Sequence, residues 1–183
     1  SMSRTSPPPF TTFACAPSHR SKAAPAIPTN AEPICKIIEQ MSAAKYPGLY
    51  YASSYSGQTL IDKLAHPSTR IVSLTITEGG YNFDRVTGEF DATNKIVAED
   101  LAPHSTPKTA FGFVTEALRR RRDRGIAPFT VLSCDNIQGN GDIAKKMFLA
   151  FAQLKDANLA TWIDRNVAFP NSMVDRITPV TSE

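Results

Sequence analysis

In Phe129-Thr130-Val131-Leu132-Ser133-Cys134-Asp135-Asn136-Ile137-Gln138-Gly139-Asn140-Gly141, a short apolar run passes directly into a polar string. A second polar string is Phe169-Pro170-Asn171-Ser172-Met173-Val174-Asp175-Arg176. A third, Thr77-Glu78-Gly79-Gly80-Tyr81, follows the apolar run 71–76. In an open α/β sheet, ligands bind beyond the carboxyl ends of the strands. Asp and Asn side chains gathered at that edge predict a site for a polar ligand.

Segments typical of strands alternate along the chain with segments of helical periodicity. Strands are predicted over 70–77 and 128–133, with a short third over 167–169 and an edge strand over 49–55. Helices are predicted over 33–44, 58–65, 106–124, from 141 onward and over 158–166, with a small hairpin over 81–92. β-branched runs without alternation favour strands buried on both faces of a parallel sheet. The pattern predicts an α/β domain with a mainly parallel sheet flanked by helices.

Composition separates the first 32 residues from the rest. Half of the 14 prolines lie at or before Pro33, and several basic residues precede the first acid, Glu32. Such a segment buries too little apolar surface to offset its ordering entropy. Residues 1–32 are predicted to be a disordered Pro-rich tail, with an organelle transit peptide as the alternative. Residues 33–183 are predicted to form the folded domain.

Charge and composition exclude several functional classes. A chain of 183 residues with 42% hydrophobic content suits one globular domain, and no apolar run approaches the roughly 20 residues that span a bilayer. The net charge of +3 does not indicate a nucleic-acid partner, and the Arg-rich run 119–124 is interpreted as a solvated helix face. The three cysteines and three histidines lack ligand spacing, so no metal is expected. The odd cysteine count favours reduced thiols and a cytoplasmic location.

Taken in order, the three polar strings resemble the long-chain mannitol dehydrogenase family of polyol oxidoreductases, which includes fructuronate reductase-like members. The family pattern runs Thr-Glu-x-Gly-Tyr, then Phe-Thr-Val-x-Ser-Cys-Asp-Asn followed by Asn-Gly, then Phe-Pro-Asn-x-Met-Val-Asp-Arg-Ile-x-Pro. This chain carries all three, and the resemblance covers about residues 60–183. It implies a Rossmann-like domain that binds NAD or NADP, a polyol or ketose substrate, and hydride transfer without a metal.

Two side chains carry the chemistry that the resemblance implies. Hydride transfer from a secondary alcohol needs a group that stabilises the oxygen as charge develops, and the amide of Asn136 can donate to it. The resemblance implies this catalytic and substrate-binding role for Asn136, and substrate binding through hydroxyl groups for Asp175. For Asn136 the alternatives are a cap of the following helix or an Asx turn. For Asp175 the alternative is a surface ion pair with Arg176.

Candidates for cofactor binding are Glu78, Gly79, Asn171 and Arg176. Gly79 allows close backbone approach, and Glu78 is placed either to hold the cofactor ribose or simply within a turn. Asn171 and Arg176 are expected to contact the cofactor or to stiffen their loop. Asp135 is expected to fix the loop that carries Asn136 rather than to react.

Two departures from the family pattern predict an incomplete domain. A dinucleotide site opens with Gly-x-Gly-x-x-Gly, whose glycines admit the pyrophosphate to the backbone, whereas residues 14–22 contain no glycine. The interval 19–77 also looks too short for the family's first two strand–helix units. In addition, the family's catalytic base is a lysine in a C-terminal helical domain, and this sequence ends before it.

Two functional hypotheses follow from these departures. The first is a truncated polyol dehydrogenase of the mannitol/fructose type, without turnover of its own. The second is a non-catalytic derivative of the same fold that binds a ligand or partner. An incomplete sheet exposes an edge strand, so a homodimer through that edge is a further expectation.

Overall fold

A parallel four-stranded sheet, in the order β2-β1-β3-β4, forms the centre of the computed structural model, which describes residues 10–14, 50–51, 57–84 and 86–175. The strands are β1 (Phe10–Ala14), β2 (Tyr50–Tyr51), β3 (Ile71–Thr75) and β4 (Thr130–Ser133). The strand order reverses at β1. In doubly wound sheets a ligand crevice lies at the carboxyl ends of the strands beside such a reversal.

All strand pairs are parallel and in continuous register. β1 and β3 pair from Phe10↔Ile71 onward, and β3 and β4 from Ile71↔Thr130 onward. Residues that follow the strands therefore meet at one edge of the sheet, the carboxyl edge, and residues that precede them meet at the opposite amino edge. The three polar strings follow β3, β4 and the segment beside β4, so this topology gathers them at the carboxyl edge.

Helices on the connections cover the sheet. Those in the described residues are α1 (Gly57–Ala65), α2 (Thr77–Gly80), α3 (Lys95–Leu101), α4 (Ala110–Asp123), α5 (Asn140–Lys155) and α6 (Ala157–Asn166). Their apolar faces enclose an aromatic cluster around Phe111, whose ring centroid lies 4.7 Å from that of Phe148 and 5.7 Å from that of Phe151. Such ring pairs add about 0.5–1.5 kcal/mol beyond area burial. No described helix has the length and apolarity needed to cross a bilayer.

The predicted α/β class with a parallel sheet and flanking helices is confirmed. The predicted strands 70–77 and 128–133 correspond to β3 and β4, and the edge strand 49–55 to the shorter β2. The predicted helices at 58–65, from 141 and at 158–166 correspond to α1, α5 and α6. The hairpin over 81–92 is a single antiparallel bridge, Phe83↔Phe90. The predicted helix 33–44 lies outside the described residues.

The expectation for the N-terminal tail needs a correction. Phe10–Ala14 lies inside the segment predicted to be disordered, yet it forms β1 between β2 and β3. Its Phe-Thr-Thr-Phe sequence has the aromatic and β-branched residues that favour strands. Pairing on both sides gives its backbone groups partners that composition alone does not reveal.

The connection before α4 also differs from the prediction. The sequence predicts a helix from residue 106, whereas α4 begins at Ala110 after its cap Thr109. The preceding residues are held instead by Asp100 at the end of α3, which accepts hydrogen bonds from the Lys108 and Thr109 N–H groups at 2.8 Å. Because Asp100 is fully buried, these backbone bonds outweigh the helical tendency of the segment. The short helix α3 itself was missed.

The predicted strand over 167–169 is not formed as a strand. Val131 N–H in β4 donates to the Ala168 carbonyl at 3.0 Å, so this segment lies along the outer side of β4. One backbone bond does not make a ladder, and the segment turns at Pro170 toward the carboxyl edge. The third polar string therefore reaches the end of β4 without belonging to a regular strand.

The arginine run is not wholly solvated. Arg121 is 1% exposed and donates to the Thr69 carbonyl at 2.9 Å and to the Pro67 carbonyl at 3.3 Å. Its guanidinium lies 5.1 Å from the ring centre of Phe129. Burial lowers the pKa of Arg121 to about 10. Arg121 occupies the inner face of α4, and its partners tie α4 to the connection before β3.

Candidate functional site

Two polar loops, residues 134–139 and residues 170–175, meet at the carboxyl edge and are joined by Asn140. This side chain is 2% exposed. Its Nδ2 donates to the Asp135 carbonyl at 3.1 Å and to the Ser172 carbonyl at 2.9 Å, and its Oδ1 accepts from the Ser172 N–H at 2.9 Å. The Ser172 hydroxyl donates to the Ser133 carbonyl at 2.5 Å. Buried groups satisfied in this way hold the two loops at a fixed spacing.

The second loop also caps helix α5. Asn171 Oδ1 accepts from the Gly141 N–H at 2.8 Å and from the Asp142 N–H at 3.2 Å, and its Nδ2 donates to Asp142 Oδ2 at 2.9 Å. A Cβ on residue 141 would lie 2.5 Å from the Pro170 carbonyl oxygen, so glycine is required for this approach. These contacts support the loop-stiffening interpretation of Asn171.

The joined loops bring the two predicted substrate-binding side chains together. Asn136 Nδ2 donates to Asp175 Oδ2 at 2.6 Å, and both residues are exposed. Asn136 does not cap α5, because Asn171 binds the N–H groups there and the N-cap residue is Gly139. An exposed amide donor beside an exposed carboxylate acceptor can bind neighbouring oxygens of a polyhydroxylated ligand. Arg176, the alternative partner of Asp175, lies outside the described residues.

Directly before Asn136, the carboxylate of Asp135 ties the ends of β3 and β4 together. Asp135 is 8% exposed; its Oδ1 accepts from the Thr77 N–H at 2.8 Å, and its Oδ2 accepts from the Ile76 N–H at 3.2 Å and the Tyr81 hydroxyl at 2.7 Å. Burial raises the pKa of Tyr81, so the phenol stays protonated and able to donate. These contacts agree with the loop-fixing role expected of Asp135.

Glu78 and Gly79 lie on the single turn α2 that follows β3, and both are exposed. The two glycines of this turn differ. A Cβ on residue 80 would lie 2.8 Å from the Ile76 Cβ, whereas a Cβ on residue 79 would meet no atom within 4 Å. Close packing of the turn therefore requires Gly80, while no contact in the structure requires Gly79. A cavity of about 130 Å³ opens beside the turn, with Gly79 and Asn82 in its lining.

The other residues that could carry chemistry either lie away from this edge or are unreactive. Burial raises the pKa of the Cys134 thiol, which stays protonated. Lys145 and Lys146 on α5 form ion pairs with other partners, Asp164 and Glu89. In residues 57–84 and 86–175, no group of three His, Cys, Asp or Glu side chains is arranged to hold a metal ion. A larger cavity of about 560 Å³ lies between α1, α4 and residues 104–107, and none of the predicted site residues lines it.

Sequence reasoning missed Tyr81, Ser133, Asn140 and Ser172. All four lie inside the polar strings, so the signal that could have found them is their position. The sequence does not show which polar side chains turn inward, because each has a partner 32 to 54 residues away in the chain.

Parallel strands with polar loops gathered at the carboxyl edge are typical of doubly wound α/β domains, whose ligands bind at that edge. The profile of the mannitol dehydrogenase Rossmann domain matches residues 30–183, and the chain belongs to this family. The match begins after β1. The family resemblance found in the three strings is thus confirmed.

Relatives of known activity share about half of the matched residues. A polyol:NADP oxidoreductase of Gluconobacter oxydans is 51% identical over 133 residues, which are 73% of this chain and 27% of that protein. A mannitol 2-dehydrogenase of Phaeosphaeria nodorum is 51% identical over 126 residues, 69% of this chain and 22% of that protein. The chain therefore spans about a quarter of the length of these relatives.

A solved structure shows the same likeness in three dimensions. Mannitol 2-dehydrogenase of Pseudomonas fluorescens, in a ternary complex with NAD and D-mannitol, is 56% identical with a TM-score of 0.65. The likeness covers 73% of this chain and 27% of that chain. The part shared with this enzyme is thus the Rossmann portion of a much longer protein.

Proposed function

We propose that this chain forms the Rossmann portion of an NAD(P)-dependent polyol dehydrogenase site of the mannitol/fructose type. The observation that carries the proposal is the exposed pair Asn136 and Asp175, joined at 2.6 Å at the carboxyl edge of the sheet. The reaction is the reversible oxidation of a polyol at a secondary alcohol to the ketose. NAD or NADP, when bound, accepts the hydride from the alcohol carbon.

Asn136 and Asp175 have different roles toward the substrate. Asn136 donates from its amide to the alcohol oxygen as negative charge develops on it, and loss of one such donor typically costs about 2.7–4 kcal/mol of transition-state stabilisation. Asp175 accepts a hydrogen bond from a neighbouring hydroxyl and so orients the polyol. Asn140 and Ser172 hold the two side chains at this spacing.

The turn after β3 is suited to bind the ribose of a nicotinamide cofactor. Gly79 leaves its surroundings open, and the exposed carboxylate of Glu78 can accept hydrogen bonds from ribose hydroxyls. Asn171 supports the cofactor side through its cap of α5, which holds the second loop. Arg176, which follows this loop in the sequence, is a candidate contact for the cofactor. The glycine-free segment 14–22 after β1 fits a pyrophosphate less well.

We also infer that these 183 residues show no turnover by themselves. Lys145 and Lys146 follow the first polar loop. They form ion pairs with Asp164 and Glu89, so neither lysine supplies a base beside Asn136. A spectrophotometric assay with mannitol or fructose, plus NAD(H) or NADP(H), tests this inference. Steady turnover above a protein-free blank would contradict it.

The binding part of the proposal is tested by calorimetry on the full chain. NADH or NADPH should give measurable heat, and the cofactor-loaded chain should then bind fructose or mannitol. Asp175→Asn is expected to weaken polyol binding at least tenfold without changing cofactor affinity. The matched control is Asp164→Asn, an exposed carboxylate on α6, which should leave both affinities unchanged. Equal polyol binding by the two variants would exclude Asp175 from the site.

The glycine-free segment after β1 favours a second candidate, a non-catalytic derivative of the fold that binds a partner. Absence of heat with NADH and NADPH would support this second candidate over the first. We also propose a homodimer through an exposed edge of the sheet, since edge strands can pair with a second copy. Light scattering tests this proposal, and a monomeric mass would contradict it. The odd number of cysteines supports a cytoplasmic setting.

A further inference from the structure

The end of β3 carries an anion-binding backbone turn that the chain fills with its own carboxylate. Ile76 has φ −107° and ψ 2°, and Thr77 has φ +63°. Successive residues near the right-handed and then the left-handed region direct their N–H groups to one side, which forms a nest for an anion. Both N–H groups bind the Asp135 carboxylate, at 3.2 and 2.8 Å.

The conformation of Thr77 indicates that this contact is required. A β-branched residue rarely adopts a positive φ, and such strain persists only where the surroundings determine it. The hydrogen bond from the Thr77 N–H to Asp135 Oδ1 is the contact that favours this conformation. Tyr81 closes the other side of the carboxylate with its hydroxyl at 2.7 Å.

Asp135 connects the two halves of the proposed site. Its side chain shapes the turn Thr77–Gly80, which carries Glu78 and Gly79, while its main chain leads directly into Asn136. Among the described residues no lysine, arginine or histidine forms an ion pair with Asp135, so its partners there are N–H and O–H donors alone. A change in this carboxylate should therefore move both halves of the site together.

We propose that Asp135 is a positioning residue, which holds the cofactor-side turn and the substrate-side amide of Asn136 in one fixed arrangement. The part of this inference that is tested by NADH binding rests on the proposed function. Asp135 itself has no role as acid, base or ligand contact.

The matched control is Asp100, a second buried carboxylate. It accepts hydrogen bonds from the Lys108 and Thr109 N–H groups at 2.8 Å and from the Thr109 hydroxyl at 2.6 Å, so its partners are of the same kind and number. It lies between α3 and α4, away from Asn136. Asp135→Asn and Asp100→Asn should both lower the melting temperature. Only Asp135→Asn should weaken NADH affinity, by about tenfold, in calorimetry at a temperature where both variants are folded. Equal NADH affinities in the two variants would overturn the inference.

A rescue variant tests the backbone turn. Glycine adopts a positive φ without strain, so Thr77→Gly added to Asp135→Asn should recover at least half of the lost binding free energy. The same substitution added to Asp100→Asn should have no effect on NADH affinity. Failure of the rescue would show that the turn is not held by the carboxylate.

Nuclear magnetic resonance separates this inference from the proposed function, because it needs no ligand. In Asp135→Asn, the amide signals of Thr77 and Gly79 and the side-chain NH₂ signals of Asn136 should shift together, while Asp100→Asn leaves them in place. A shift of the turn alone, with Asn136 unchanged, would overturn the positioning role. If the wild-type chain binds no NADH but the coupled shifts are seen, the proposed function fails and the positioning role stands.

Discussion

At the amino edge of the sheet, buried Arg121 donates to the Thr69 carbonyl at 2.9 Å and to a second carbonyl of the same connection. At the carboxyl edge, buried Asp135 accepts from the Thr77 N–H at 2.8 Å and from a second backbone N–H. Arg121 ties α4 to the connection before β3, and Asp135 ties the end of β4 to the turn after β3. The difference lies in what they support: beside Asp135 the polar strings gather at the carboxyl edge, where the amide of Asn136 meets the carboxylate of Asp175.

This contrast shows that buried polar contacts do not by themselves mark a functional site. Asp100 and Asp135 each accept hydrogen bonds from two backbone N–H groups and one hydroxyl group. The backbone partners of Asp100, Lys108 and Thr109, lie only eight and nine residues away in the chain. Asp135 joins loops 58 and 59 residues apart, at the edge where parallel strands end. The position at the edge where parallel strands end and the polar strings meet is what distinguishes the site.

The largest effect on stability is expected at the amino edge. Arg121→Met should lower the free energy of unfolding by about 3 kcal/mol, because it leaves buried carbonyl oxygens without donors. Urea unfolding with an unchanged m-value measures the loss. The control is Arg122→Met on the next residue, which pairs with Asp123 and Asp156 at the surface and should lose less than about 1 kcal/mol. Equal losses would mean that Arg121 is not structurally distinct from its neighbours.

Substitutions of two glycines, Gly141 and Gly79, test the packing at the carboxyl edge. Gly141→Ala should lower the free energy of unfolding by about 2 kcal/mol, because the new Cβ would lie 2.5 Å from the Pro170 carbonyl. The variant should also separate the two loops, and NMR should show altered NH₂ signals of Asn136. Gly79→Ala, whose Cβ meets no atom within 4 Å, should leave stability within about 0.5 kcal/mol of wild type. It should nevertheless weaken NADH binding; unchanged binding would remove Gly79 from the cofactor site.

The smallest effect concerns acid stability at the amino edge. Asp156 caps α6 by accepting from the Asn158 and Leu159 N–H groups at 2.9 and 3.1 Å, and it pairs with Arg122 at 3.2 Å. The backbone hydrogen bond from Leu159 is the largest cause that lowers the pKa of Asp156 below 3.8, and the ion pair with Arg122 adds to it. A lowered pKa in the folded state gives stabilisation that is present above the unfolded value and is lost as pH falls through the folded value.

Asp156→Asn keeps a capping oxygen but removes the charge. The wild type should exceed this variant by about 0.5 kcal/mol at pH 7. The difference should be full at pH 7 and pH 5, should shrink as pH falls below 3.8, and should vanish only once the carboxyl group is protonated in the folded state as well. Urea unfolding at pH 7, 5 and 3 measures this difference. A constant difference at all three values would assign the effect to the cap alone.

Much of the fold was predictable from local pattern. β3 and β4 are continuous apolar runs, and α1, α5 and α6 show helical spacing with clear breaks. Errors arose where tertiary contacts override local preference. Composition favoured disorder at Phe10–Ala14, but pairing with β2 and β3 forms a strand there. Leu154 has the helical spacing of buried Met147 and Phe151 yet is 57% exposed, so spacing along a helix does not by itself decide burial.

The site was predictable in its exposed members and not in its buried ones. Asn136 and Asp175 were identified as a pair from their strings, and the structure brings their side chains into contact, while their roles stay a prediction. Asn140 was not identified, because an asparagine at a helix start is usually a local cap. Here it bridges two loops 32 residues apart.

The alternation of strands and helices, the family and the polar strings at strand ends all follow from local sequence, because they depend on side-chain type and spacing along the chain. Which polar groups are buried depends instead on contacts between segments that are distant in the chain. A carboxylate or amide leaves water when enough donors and acceptors surround it, and for Asp135 and Asn140 those partners come from distant segments. Parallel pairing of β3 with β4 brings Asp135 to the turn after β3. Asn140 joins the second polar loop to the first, so the side chains of Asn136 and Asp175 meet.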